Sequence, residues 1–224
     1  MKKTILIAPF DGPLAAALAS EASAAGWSVA LALAGGPKAD DSAPEAVPAP
    51  ELESAGAVTI HYEPRSFVSV AALVLSARNA LGELDAAVLV SDPAAAKADF
   101  LAGKPGELAS LVEERCAGPL FLARELARRF EARKSGRILL LAPESPRDAA
   151  LGAAAALADG AFEGLGTGLF AAAVGAAWSA YGLRDASGSS ARAARYALDL
   201  LSEPKPAKAG KWLRFTGKSG IFGQ

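Results

Sequence analysis

Three short stretches constrain this chain more than anything else in it. Thr4–Ala8, Asp85–Val90 and Arg137–Ala142 are apolar at nearly every position rather than at every second one. A strand with one wet face alternates, whereas a strand covered on both faces reads as a continuous apolar run. Such strands belong to a parallel sheet with helices above and below, because parallel neighbours need a long crossover between them. The stretches that separate them here have helical length and periodicity. The expected fold is therefore α/β: a Rossmann-like doubly wound parallel sheet of six or seven strands with helices on both faces.

The remaining elements follow in order. Pro13 to about Ala25 reads as a helix, with Pro near the first helical position and Gly26 as its stop. Trp27–Leu33 and Ala57–Tyr62 read as strands, separated by a Pro-, Asp- and Ser-rich surface loop over Gly35–Glu51. Phe67–Leu81 is helical and Gly82 ends it; Lys97–Gly106 is a loop, and Glu107–Arg133 a long amphipathic helix. After Arg137–Ala142 come a small-residue helix, about Ala153–Ala173, and a further buried strand ending near Leu183. Ser189–Leu201 is a last helix and Lys211–Thr216 a last strand. No break in composition divides the chain, so residues 1–224 are read as a single domain.

Composition removes several classes of function. With 23 basic and 24 acidic side chains there is no basic field to draw in nucleic acid and no polybasic patch to hold a membrane. One His, His61, leaves a histidine-based metal centre or catalytic triad almost nothing to use, and no metal is expected. One Cys, Cys116, excludes an intrachain disulfide framework and fits a reducing, cytoplasmic setting; it reads as a small buried hydrophobe. The apolar run Ile5–Phe10 is shorter than the core of an export signal and β-branched like a strand. Gly164–Leu183 carries no charge, but Gly and Ala dominate where lipid-facing Leu and Ile belong, so it reads as a buried helix running into a buried strand. Gly217-Lys218-Ser219-Gly220 shares part of a phosphate-loop pattern without the upstream Gly or the following helix.

From Thr4 to Gly223 the chain resembles the short-chain dehydrogenase/reductase family. AAGWSVALAL is similar to that family's first helix end and second strand, and LGELDAAVLVSDPAA to its Asn-Asn-Ala-Gly segment. GPLFLARELARRF resembles the helix bearing the catalytic Asn, and GRILLLAP the strand ending at the catalytic Ser. GAFEGLGTGLF is similar to the helix that follows Tyr-x-x-x-Lys, and GKWLRFTGKSG to the closing strand. The resemblance implies an NAD(P)-dependent oxidoreductase, yet the positions that would carry the chemistry are changed. The three glycines of the pyrophosphate cradle fall on Pro9, Pro13 and Ala15, and both prolines lack the N–H that such a cradle uses. Asp11 places a carboxylate just ahead of the helix, where phosphate would sit, and is expected to start or cap that helix. The Asn-Asn-Ala-Gly element falls on Ser91-Asp92-Pro93-Ala94, and the catalytic Asn on Arg115. The Ser falls on Ala142 or Pro143, with Ser145 the candidate substitute, and the Tyr and Lys fall on Ala155 and Asp159. No Tyr lies between Tyr62 and Tyr181 and no Lys between Lys134 and Lys205, so the phenol and ammonium of the reaction are missing. Only Asp185–Ser190 stands where the family carries a substrate lid.

The degenerate site leads to the expectation of a pseudoenzyme: no cofactor, and a structural or regulatory role as a homo-oligomer or as a hetero-oligomer with an active relative. The alternatives are an NAD(P)-dependent enzyme rebuilt around Ser145, Tyr181 or Arg115, and a nucleotide- or small-molecule-binding module using the crevice at the carboxyl ends of the strands. In the resembling family the helices after the fourth and fifth strands pair between subunits. Here the second of these carries Ala156, Gly160, Gly164 and Gly168 as a small-residue stripe, with Phe162 and Phe170 expected beside it as large interface contacts.

Overall fold

The computed structural model describes residues 2–35, 56–92, 101–144, 152–204 and 208–217. The strands are β1 (Thr4–Ala8), β2 (Ser28–Ala34), β3 (Val58–Tyr62), β4 (Ala86–Val90), β5 (Arg137–Pro143), β6 (Ser179–Asp185) and β7 (Trp212–Phe215). They form one seven-stranded parallel sheet in the order β3-β2-β1-β4-β5-β6-β7. The order reverses between β1 and β4, and a crevice opens at the carboxyl ends on either side of that switch.

The helices are α1 (Gly12–Ala24), α2 (Phe67–Leu81), α3 (Pro105–Val112), α4 (Gly118–Arg133), α5 (Ala153–Ala173) and α6 (Ser190–Ser202). One face of the sheet presents Ile5, Ile7, Leu31, Val88, Leu139 and Leu141 to α1 and α6. The other presents Leu6, Ala30, Leu89, Ile138 and Leu140 to α2, α4 and α5. Adjacent residues of one strand thus enter opposite cores, which is why the strand sequences do not alternate. Gly164–Leu183 divides into the end of α5, a turn and β6, and no helix among the described residues is long and apolar enough to cross a membrane.

The segment expected as one helix over Glu107–Arg133 is continuous but not uniform. Between α3 and α4, Glu113–Ala117 is a π-helical turn in which the Gly118 N–H donates to the Glu113 carbonyl, five residues back. Gly118 is required where the helix passes the β3–α2 loop, since a Cβ there would lie 2.9 Å from Pro64 Cβ. Two local expectations are corrected. Asp11 occupies the N-cap position of α1 with extended backbone, but its side chain makes no capping hydrogen bond. Phe162 and Phe170 do not flank an open stripe: they are 1% and 7% exposed, buried against the sheet beside Trp212. The loop expected over Gly35–Glu51, Ser145 and the Gly-rich end from 218 onward fall almost entirely outside the described residues.

Candidate functional site

The crevice at the switch point is lined by Ala8, Pro9 and Asp11 after β1, Tyr62 at the end of β3, Leu89–Ser91 at the end of β4, and Glu114 and Arg115 from the π-turn. It holds about 60 Å³ of free space, room for a few water molecules. The turn into α1 starts from Phe10, whose ring is buried and whose N–H donates to the Ala32 carbonyl at 2.6 Å. Gly12, at φ 77°, then takes a left-handed conformation that glycine tolerates, opposite the carboxylate of Asp92.

These elements bring Asp11 and Arg115 together. Arg115 Nη1 is 3.6 Å from Asp11 Oδ2, while Asp11 Oδ1 is buried with no hydrogen-bond partner. Burial raises the Asp11 pKa, the Arg115 guanidinium opposes that shift, and Asp92 adds to it. Tyr62 is buried at the crevice wall, and that burial pushes its phenol well above the ordinary value, with the Asp11 charge adding to the effect. The π-turn explains how Arg115 gets there, since an extra residue in a helix re-aims the side chains it carries.

The other substituted positions are elsewhere. Ala142 is wholly buried in β5, and Ala155 packs with Ala158 against Leu111. Asp159 belongs to a second cluster, in which Arg184 of β6 pairs with both Asp159 and Glu163 and lies 4.9 Å over the ring of Trp212. Pro13 is exposed at the start of α1, and Ala15 is fully buried on it. Tyr181 faces the α1/α6 core, and its unpartnered hydroxyl lies within the influence of Arg137 and Glu203, at the amino end of the sheet rather than at the crevice. His61 is exposed, with Nδ1 3.3 Å from the Gly35 carbonyl. Cys116 is half-buried rather than buried, and lines an apolar groove with Val112, Leu120, Ala161 and Leu165. Sequence reasoning missed Tyr62, Glu114 and Arg184, which stand in no motif, and Trp212, which stands in the closing-strand segment without being singled out. The signal for Arg184 was a charged pair, Arg184-Asp185, closing a strand that is uncharged up to Leu183.

The sheet order and helix layers define a Rossmann-like fold of the short-chain dehydrogenase/reductase type. A putative oxidoreductase from Escherichia coli str. K-12 superposes with a TM-score of 0.74 at 18% identity, covering 97% of this chain and 95% of that one. A mutant Serratia marcescens short-chain dehydrogenase/reductase gives 0.74 at 15% identity, covering 95% and 96%. An actinorhodin polyketide ketoreductase variant solved with NADPH gives 0.77 at 14%, covering 96% of each chain. At these identities the likeness is one of fold. No protein-family model and no curated protein matches the chain.

Proposed function

We propose that this protein is a non-catalytic relative of the short-chain dehydrogenases/reductases that acts as a structural or regulatory subunit, assembling with itself or with an active relative. One observation carries the reading. Arg115 and Asp159, where the resemblance puts the catalytic Asn and Lys, are both held in ion pairs, with Asp11 and Arg184. A guanidinium and a carboxylate in those two places supply neither the amide nor the ammonium that the family's reaction uses. The cradle does not fit a dinucleotide either: Pro9 and Pro13 offer no N–H, and Asp11 sets a carboxylate against the pyrophosphate.

The assembly half of the proposal rests on the outer faces of α3–α5. Positions Gly160, Gly164 and Gly168 are open, with nothing within 4 Å of where a Cβ would stand, and Ala156 is exposed beside them. Next to them runs an apolar groove of about 460 Å³, and Leu120 and Leu157 are 52% and 51% exposed. Along the long helix charge is graded: Glu107, Glu113 and Glu114 precede Arg124, Arg128 and Lys134. An antiparallel copy of that helix would set each half against its opposite.

Light scattering of the wild type should show a dimer or tetramer, and Gly164→Leu should reduce it to monomer with the circular dichroism unchanged. A wild type that stays monomeric at high concentration and captures no active relative refutes the assembly. Melting in 1 mM NADH or NADPH tests the other half. A micromolar site would stabilise the fold by about 4 kcal/mol, and such a shift would favour the rebuilt oxidoreductase instead.

A further inference from the structure

Helix α2 lies on the surface without the charges that a surface helix carries. From Phe67 to Leu81 only Arg78 is charged. The outward positions include Val68, Ala72, Leu75 and Asn79, with Val68 76% and Leu75 39% exposed. Phe67, on the side next to α4, is 40% exposed although it meets the Phe121 ring edge-on at 5.9 Å. On α6, by contrast, the outward positions include Arg192, Arg195 and Asp199. A helix with a polar outer face needs only water there, whereas an apolar outer face on a surface helix marks a contact.

The charge beside this face is mainly of one sign. Arg124 of α4 lies 5.1 Å over the Phe67 ring, and Arg128, one turn further, is exposed. Arg78 and Arg129 line the shallow cleft between the two helices. Against these four guanidiniums stand two carboxylates, Glu83 in the cleft and the buried Glu125, which Arg128 and Arg129 share. At the start of α2, Arg65 is bound to Glu63 at 3.0 Å and feels Glu113 and Glu114, so it adds no surplus. The local excess is positive in a chain whose net charge is −1. An apolar strip beside a positive rim selects a partner whose carboxylates flank apolar side chains. A nucleic acid would engage the guanidiniums and leave Val68 and Leu75 uncovered.

We propose that α2 and the adjoining edge of α4 dock an acidic amphipathic helix of a partner protein, whose apolar side chains cover Phe67, Val68 and Leu75 while its carboxylates meet Arg78, Arg124 and Arg128. The helices α2 and α4 pack side by side, and a third helix lays its ridge into the groove between two such neighbours. From Phe67 to Leu75 the strip is about 12 Å long, so about three turns of the partner cover it. The surface lies on the opposite flank of α4 from α5 and its small-residue stripe. It is a second docking surface and does not rest on the subunit reading, although Arg124 and Arg128 border both.

Fluorescence anisotropy of the full chain with a labelled helical peptide of about 15 residues, Leu and Ala on one face and Glu on its flanks, tests the assignment. The control is the same peptide with Lys for every Glu. Saturable binding of the Glu peptide that weakens as salt rises, and no binding of the Lys peptide, are expected. Val68→Asp and Arg124→Glu should each weaken the Glu peptide at least tenfold with the circular dichroism unchanged. If Arg124→Glu fails to fold, Val68→Asp decides alone, since that side chain stands in solvent. Absence of saturable binding, equal binding of the Lys peptide, or an affinity within twofold of wild type in Val68→Asp overturns the proposal. An oligothymidylate whose binding Arg124→Glu abolishes and Val68→Asp leaves unchanged would mark a polyanion site and overturn it as well. Gly164→Leu should bind the Glu peptide at least as tightly as wild type, even where it abolishes assembly. Loss of the peptide together with the assembly would place the docking on α5, overturning this proposal and leaving the subunit reading intact.

Discussion

Trp212 offers the sharpest test of how the sheet holds α5. Its indole lies between two glycines, Gly182 on the neighbouring strand β6 and Gly166 on α5. A Cβ on Gly182 would fall 2.3 Å from Trp212 Cε3, and one on Gly166 2.5 Å from Cζ2. Phe162 and Phe170 flank the ring at centroid distances of 6.2 and 5.8 Å. Gly182→Ala therefore drives a methyl into a rigid ring rather than into the end of a flexible chain. Overpacking costs about 1–3 kcal/mol, and this contact belongs at the top of that range. For a chain of this size about 3 kcal/mol lowers Tm by roughly 6–12 °C. Trp212→Ala removes the obstacle at a cost of its own of about 3 kcal/mol, the low end for a half-buried ring. In that background Gly182→Ala should cost nothing, and gain up to about 1 kcal/mol by removing a strand glycine. The expected coupling is thus about 3 kcal/mol, read from urea unfolding of the two single variants and the double. Phe170 Cζ, 2.9 Å from the same point, is the tip of a ring that can shift. If Gly182→Ala is as harmful without the indole as with it, Trp212 is not what the glycine accommodates.

Tyr181→Phe removes a fully buried hydroxyl that has no partner, and should raise stability by about 1 kcal/mol in a thermal melt; a clear loss would mean that the hydroxyl is satisfied after all. Glu125, 3% exposed, accepts from Arg128 at 3.2 Å and Arg129 at 2.9 Å, and Glu125→Ala should cost about 2 kcal/mol in the same assay. Burial raises the Asp11 pKa in the folded chain, so ionising it costs more folded than unfolded. That penalty is absent below the unfolded pKa, about 3.9, and grows as pH rises through the folded one. Urea unfolding should therefore show Asp11→Asn gaining on the wild type between pH 3 and pH 7; a gain that shrinks instead would show that Arg115 outweighs burial.

Much of the fold was legible because burial on both sheet faces leaves a local mark. The continuous runs at Thr4–Ala8, Asp85–Val90 and Arg137–Ala142 are strands to within a residue, and Phe67–Leu81 ends at Gly82 as its sequence says. Less was legible where a side chain chooses between partners far apart in the chain. Asp11 reads as a cap, but its carboxylate makes no capping bond and lies 3.6 Å from Arg115, which the π-turn brings close. Phe162 and Phe170 lie on the same helix as an open small-residue stripe, and only the position of Trp212 reveals that they point inward. Asp159 looked like an isolated substitution until β6 placed Arg184 beside it.

The π-turn carries a consequence for how such a chain can change over generations. A π-turn closes on the fifth residue back where an α-turn closes on the fourth, so it takes up one extra residue while the helix on either side keeps its facing. Removing one residue from Glu113–Ala117 would therefore restore a plain α-helix with Leu122, Leu126 and Phe130 still in the core. The change would be confined to the side chains of the turn, Arg115 at the crevice and Cys116 at the groove among them. Relatives that share this core should therefore differ here in length as readily as in letters.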